Sequence, residues 1–297
     1  YPRDVRQAIW QMDEYKQAAS TPEIKNAIPF LIAYALSPGA RKVLREHKVG
    51  YYDRGGSLYS PISGAYVYID KPAPKPMKKE FISVFKGARA RVLKALFVKG
   101  HEWTNVKEIT HISKVSSATV SQTLQELERR EWVQSDGSGP AKMRRLSHAG
   151  QMLDAWVNFL EDEKPLKYRR FYVPISDSEK IMEHVRLAFK RQNIIYAFTG
   201  EIAANAYSPY LTHVSQVHCR VSSSKHEYEA LLNLDAKPVS EGWNLALLDS
   251  PANDFIGVVE HDGHRLASPL QVYLDLVHGK GRAKELAEHF RRERLDI

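Results

Sequence analysis

A run of small polar and amide side chains near the middle of the chain could contact the edges of DNA bases. It comprises Ser116, Ser117, Thr119, Ser121, Gln122 and Gln125. A glutamine amide can form two hydrogen bonds with one adenine, and short hydroxyls reach bases or phosphates. Three cations further along, Lys142, Arg144 and Arg145, would suit phosphates or an adjacent minor groove. The plainer alternative is that the two serines only cap a helix and both glutamines face solvent.

The pattern around these residues predicts a winged helix-turn-helix over residues 78–160. Its order is helix, helix, helix, strand, glycine-rich turn, strand and helix. A major groove is wide enough to admit the third helix, and the hairpin that turns at residues 135–140 would be the wing. The polar run would then read bases, while the three cations of the return strand contact the backbone.

The third helix of this segment is amphipathic. Val120, Leu124 and Leu127 form its apolar stripe. We expect a core that contains Leu124, Leu127, Trp132 and Trp156. Arg129 and Arg130 suit DNA phosphates and the negative end of the helix dipole equally well. Residues 116–133, SSATVSQTLQELERREWV, resemble the recognition helix and following strand of MarR-type winged-helix regulators.

Charge is distributed unevenly along the 297 residues, whose formal net charge is +8. The proline-rich stretch KPAPKPM at residues 71–77 and a charged run at residues 161–165 divide the chain at residues 77 and 160. Residues 78–160 hold about 14 Lys+Arg against 8 Asp+Glu, whereas residues 161–297 hold about 18 against 20. The basic middle segment favours a polyanionic partner such as duplex DNA.

The flanking segments predict two further α/β parts, which makes the expected fold class α+β. In residues 1–77 we expect a small α/β segment with helices over 6–19, 24–36 and 38–48, followed by strands. Residues 161–297 predict a mixed α/β domain whose helices cover a sheet. No stretch of the sequence is apolar enough to span a membrane.

Several short phrases in the second half of the chain carry a closer resemblance. They are YAFTGEIAA at residues 196–204, PY at 209–210, the strand at 217, SPLQVYLDL at 268–276 and AEHF at 287–290. Together with the winged helix they resemble the AbiEi family, the antitoxins and transcriptional regulators of type IV toxin–antitoxin loci. The resemblance implies a winged helix joined to a C-terminal domain and binding to the protein's own promoter. Residues 1–77 depart from that pattern, since they lie in front of the winged helix.

A nucleotidyltransferase hypothesis rests on the C-terminal domain. The turn Thr199-Gly200 between a strand and a helix is similar to the start of such an active site. That chemistry needs two carboxylates on the next strand to hold Mg²⁺, and the sequence has His218 and Arg220 there. We therefore expect a non-catalytic relative of that fold.

A nuclease hypothesis rests on Asp53 and on the pair Asp70-Lys71. Adjacent strand residues face opposite sides of a sheet, so ordinary surface charges explain this pair better. Five further side chains lack the spacing of a zinc site, namely His213, His218, Cys219, His261 and His264. We expect no metal and no cofactor.

The sequence therefore predicts a non-enzymatic transcriptional repressor that binds an operator in double-stranded DNA and acts as the antitoxin of a toxin–antitoxin locus. A toxin or a second copy of the chain would be a further partner. A ligand-sensing MarR-like regulator and a winged-helix-targeted nuclease or nucleotidyltransferase remain alternatives. A single cysteine, Cys219, and the lack of a visible secretory leader favour the cytoplasm.

Overall fold

The computed structural model describes residues 1–62, 65–71, 83–279 and 281–295, and its fold is α+β as predicted. Its contacts form two compact units, each built from separate stretches of chain. The first unit comprises residues 1–89, 101–106 and 117–148, and the second comprises residues 90–100, 107–116 and 149–297. These units do not follow the predicted cuts at residues 77 and 160, which stay a prediction about sequence segments. Residues 72–77 of the predicted linker lie outside the described residues.

The elements are numbered in chain order. The described helices are α1 (Pro2–Ala18), α2 (Pro22–Asn26), α3 (Pro38–Glu46), α4 (Gly87–Lys99), α5 (Val106–Ser113), α6 (Ser117–Arg129), α7 (Ala149–Glu161), α8 (Ser178–Arg191), α9 (Gly200–Tyr207), α10 (Glu227–Asn233), α11 (Pro269–Val277) and α12 (Arg282–Phe290). The described strands are β1 (Phe30–Ala33), β2 (Gly50–Asp53), β3 (Leu58–Ile62), β4 (Ala65–Ile69), β5 (Val133–Asp136), β6 (Met143–Leu146), β7 (Arg169–Tyr172), β8 (Tyr196–Thr199), β9 (Val217–Val221), β10 (Lys237–Pro238), β11 (Leu245–Asp249), β12 (Val259–His261) and β13 (His264–Leu266). Among the described helices, none has the length and apolar character needed to cross a bilayer.

The first unit contains a four-stranded sheet in the order β1-β2-β3-β4. The pair β1–β2 is parallel, and the other neighbours are antiparallel. One face of the sheet packs on α1 and α3, with Ile9, Leu44 and Tyr51 in the shared core. The Ser37 hydroxyl caps α3 by accepting the N–H of Ala40 at 3.2 Å. The predicted helices over residues 6–19 and 38–48 correspond to α1 and α3.

The predicted helix over residues 24–36 is wrong. The chain forms only the short α2 there and then enters β1. Pro29 precedes the strand and lacks the N–H that a helix interior requires. Its carbonyl oxygen instead accepts the N–H of Gly50 at 2.8 Å, which aligns β1 with β2. This pairing joins residues distant in sequence, so the local pattern did not reveal it.

The second unit contains a seven-stranded sheet in the order β10-β7-β11-β9-β8-β13-β12. Strand β9 runs parallel to β11 and antiparallel to β8, so the sheet is mixed. All four residues of β8 and the first four of β11 are buried. Helices α9, α11 and α12 pack together beside β8 and β9, while α8 packs with α10 and beside β9 and β13. Helices therefore pack beside a mixed sheet, as expected for the α+β class, while the predicted bounds of a C-terminal domain stay a prediction.

Helix α4 packs within this second unit. The Val98 side chain lies against Gly257, where a Cβ atom would come within 2.6 Å of its Cγ2. The buried Lys94 ammonium lies 3.4 Å from the Asp254 carboxylate. These contacts explain why residues 90–100 cluster with the C-terminal sheet.

Candidate nucleic-acid interface

Helix α6 has the apolar stripe that the sequence predicts. Val120, Leu124 and Leu127 are fully buried, and Trp132 beyond the helix is buried as well. The Thr123 hydroxyl is also inside and donates to the carbonyl oxygen of Thr119 at 2.7 Å. Trp156, in the second unit, is buried too, so the four predicted core residues are confirmed.

The opposite stripe of α6 carries the predicted base-reading side chains. Ser117, Gln122 and Gln125 are exposed, Thr119 and Ser121 are half-buried, and Ser116 is exposed at the end of a stretch that belongs to the second unit. Gln122, Gln125 and Arg129 follow one another at helical spacing on a single exposed face. Two amides and a cation therefore lie in line along roughly two turns of helix.

Strands β5 and β6 form the predicted hairpin. Val133 pairs with Leu146 and Asp136 with Met143, and the turn has positive φ at Gly137 (74°) and Gly139 (62°). Glycine adopts this left-handed conformation without the strain that a side chain would cause. Thr104 adds a third backbone segment to the hairpin: its N–H donates to the Arg144 carbonyl at 2.8 Å, and the Arg144 N–H donates back at 2.7 Å.

Two of the three predicted wing cations bind a buried carboxylate. The Arg144 guanidinium is buried and donates from Nε to Glu128 Oε1 at 2.6 Å. The Lys142 ammonium donates to Glu128 Oε2 at 2.7 Å, and Arg3 lies 3.6 Å from the same oxygen. Burial alone raises the pKa of Glu128, but the hydrogen bonds from Lys142 and Arg144 bring the pKa below its usual value. These pairs anchor the hairpin to α6.

Arg145, the third predicted wing cation, has different partners from Arg144 and Lys142. Its Nε donates to the Gln134 side-chain oxygen at 3.0 Å, and its guanidinium lies 4.7 Å from the centre of the Trp103 ring. In the part of the chain that the structure describes, neither contact pairs the positive charge of Arg145 with a carboxylate. A guanidinium stacked on an aromatic ring is held in place and can still bind a phosphate.

The C-terminal end of α6 contacts α1 through ion pairs. Arg129 donates to Asp4 at 2.9 Å, and Arg6 donates to both carboxylate oxygens of Glu131, the nearer at 2.7 Å. Arg130 is buried and pairs with Glu126 at 2.8 Å. The sequence did not decide whether Arg129 and Arg130 contact DNA phosphates or the negative end of the helix dipole. In the structure each of them binds a carboxylate.

The Thr199-Gly200 turn joins β8 to α9, and β9 places His218 opposite Thr199. The His218 ring lies beside Gly200, where a Cβ atom would be 3.2 Å from its Nδ1. Tyr168 and Trp243 meet this ring edge-on, with centroids 5.2 and 5.3 Å away. Burial lowers the pKa of His218, which favours the neutral imidazole.

Arg220 stands where a nucleotidyltransferase would need its second carboxylate. It belongs to a buried polar cluster, which we call the Asp275 cluster. It comprises Thr199, Arg220, Ser250, Gln271 and Asp275. Arg220 donates twice to the Asp275 carboxylate, with Nε 2.7 Å from Oδ2, and donates to the Ser250 hydroxyl oxygen at 2.9 Å. Thr199 and Gln271 donate to the same carboxylate at 2.5 and 2.8 Å. An arginine therefore occupies the space beside the carboxylate that a divalent cation would need.

In the first unit, Asp53 and Asp70 share a partner that sequence reasoning missed. The buried Arg41 guanidinium contacts Asp53 at 2.8 Å and Asp70 at 2.5 Å. Asp53 is itself buried and also accepts the N–H of Ser57 at 3.1 Å. An arginine in helix α3, remote in sequence, gave no local signal of this pairing.

Within the described part of the chain, no group of three or more His, Cys, Asp or Glu side chains is arranged to hold a metal ion. Comparison with protein-family models, with curated proteins and with solved structures gives no match.

Proposed function

We propose that this protein is a sequence-specific regulator that binds duplex DNA through a winged helix-turn-helix. The observation that carries the proposal is the exposed pair of amides Gln122 and Gln125 on α6, followed directly by a glycine-turned hairpin. The element order from α4 to α7 is the one that the winged-helix prediction requires. Helix α6 would enter the major groove, and Arg145 on the hairpin would contact a phosphate.

The contacts of Glu128 change the expected roles of the wing cations. Arg144 and Lys142 act chiefly by fixing the hairpin to α6, because their charges already face a buried carboxylate. Arg145 is the residue of the three that we expect to bind the DNA backbone directly. We therefore no longer expect Lys142 and Arg144 to neutralise DNA phosphates.

Base readout is tested by selecting binding sites from random duplexes with the wild type and with Gln122→Ala. We expect the variant to lose preference at one or two base pairs, at about 1–3 kcal/mol for a lost bidentate contact. Gln11→Ala, which removes an exposed amide from α1, is the matched control and should leave the consensus unchanged. An identical consensus for wild type and Gln122→Ala would show that Gln122 does not read bases.

Phosphate contact is tested by the salt dependence of binding. Arg145→Gln should weaken binding to all duplexes alike and reduce the slope of log K against log salt by about one. Arg292→Gln removes an exposed cation of the second unit and serves as the control. Equal slopes for wild type and Arg145→Gln would show that Arg145 does not contact a DNA phosphate.

The antitoxin role and a cytoplasmic location are part of the same proposal, and the resemblance to the AbiEi family supports them. The test is growth of cells that express the neighbouring gene with and without this protein. Rescue from growth arrest is the expected result, and arrest that persists would limit the protein to regulation.

We further propose that the C-terminal domain transfers no nucleotides, because Arg220 neutralises Asp275 and Arg282 pairs with Glu201 at 2.7 Å. Incubation with labelled nucleoside triphosphates, Mg²⁺ or Mn²⁺ and RNA should give no labelled product. Labelling that disappears in Glu201→Gln would establish the enzyme hypothesis instead.

A further inference from the structure

The face of the four-stranded sheet that does not pack on α1 and α3 is apolar and exposed. Ladder partners point to the same side of a sheet, so the pairs Ile32–Tyr52, Tyr52–Leu58 and Leu58–Ile69 define one row across all four strands. Of its members, Ile32 is 76% exposed and Tyr52 44%.

Neighbouring positions extend this row into a surface that we call the open face. Its residues are Phe30, Ile32, Tyr34, Tyr52, Leu58, Ser60, Ile62, Val67 and Ile69. The Phe30 ring lies against Gly50, where a Cβ atom would be 2.3 Å from the ring. Arg54 lies over the Tyr34 ring at 5.2 Å and marks the rim. The residues of the open face are all uncharged.

We propose that the open face binds the open face of a second copy of this chain. The exposed side chains amount to roughly 700 Å² per copy, close to the roughly 800 Å² per partner of a standard stable interface. Two such faces can stack about 10 Å apart, as sheets do in a sandwich. Because the centre carries no charge, self-association brings no like charges together there. A nucleic acid would instead require cations across the face, and Arg54 lies only at its edge.

The proposal goes beyond the proposed function and does not depend on it, because its test contains no DNA. Sedimentation equilibrium over a wide concentration range should give twice the chain mass of 33.9 kDa. Ile32→Glu should raise the dissociation constant at least about tenfold, since the interface would then bury two like charges. Leu232→Glu removes a similarly exposed aliphatic side chain from α10 and should leave the dimer intact.

A cross-linking arm keeps the test independent of the charge substitution. The native Cys219 is buried, so Ser60→Cys, near the middle of the face, supplies the reactive thiol. A short bismaleimide should join two Ser60→Cys chains but not two Leu232→Cys chains. Circular dichroism confirms that each variant is folded, and Ile62→Glu replaces Ile32→Glu if the latter is not. A monomer at every concentration, or an assembly that a folded Ile32→Glu or Ile62→Glu variant leaves unchanged, would overturn the proposal.

Discussion

Asp275 is the residue on which the buried polar cluster of the second unit depends. Asp275→Asn keeps the shape of the side chain but leaves the Arg220 guanidinium without its counter-charge. Breaking a buried ion pair in this way costs about 3–5 kcal/mol of unfolding free energy, which a denaturant titration would measure. Asp262→Asn, at an exposed loop position, is the control and should change it by less than about 0.5 kcal/mol. Equal stabilities of the two variants would show that the cluster contributes little.

The Asp275 carboxylate also makes the free energy of unfolding depend on pH. Burial raises the pKa of Asp275, but the charge and hydrogen bonds of Arg220 outweigh burial and hold the pKa below its ordinary value of 3.8. Because the folded pKa lies below the unfolded one, the stabilisation is complete above the unfolded pKa and is lost as pH falls through the folded pKa. Unfolding free energies measured between about pH 5 and 3 should therefore fall less steeply for Asp275→Asn than for the wild type. Parallel curves would contradict this assignment.

Single residues also show where sequence reasoning reached its limit. Val120, Leu124 and Leu127 were predictable because helical spacing alone decides which face is buried. Glu128 was not, since its burial depends on Arg144 and Lys142, which join it through a long-range hairpin contact. Arg41 and Asp53 were hidden for the same reason. Charges that stabilise one another across elements leave no periodic signal.

Substitutions in helix α1 can show whether apolar packing or ion pairing contributes more to its stability. Ile9 is buried in the core shared with α3, whereas Arg6 and its partner Glu131 are partly exposed. We expect Ile9→Ala to lower the unfolding free energy by about 2–4 kcal/mol and Arg6→Ala by less than about 1 kcal/mol. Thermal or urea unfolding of the two variants measures the ratio. A larger loss for Arg6→Ala would mean that the ion pairs to α6 dominate.

Elements differ in how much of them the sequence predicts. The hairpin β5–β6 was predictable from its glycines and alternation, which are local. The strand order of the seven-stranded sheet was not predictable, because it pairs strands that are far apart in sequence, such as β7 with β11 and β8 with β13. The exposed polar stripe of α6 follows from helical periodicity, whereas its contact with DNA stays a prediction.

The predicted domain cut at residue 160 yields a prediction for the whole molecule. A fragment of residues 161–297 would lack α4, and with it the contacts of Lys94 to Asp254 and of Val98 to Gly257. Losing these apolar and ionic contacts should lower the melting temperature of the C-terminal sheet by several degrees relative to the full chain. Calorimetry on the fragment and on the intact protein compares the two. A fragment as stable as the intact protein would support the predicted boundary at residue 160.

The chain passes between its two units after residues 89, 100, 106, 116 and 148. A gene that encodes such a chain cannot be split at one point into two parts that each encode a whole unit. A break after residue 89 leaves the first unit without its hairpin, and a break after residue 148 leaves the second without α4 and α5. Recombination that exchanges one unit for another would therefore have to cut the coding sequence several times.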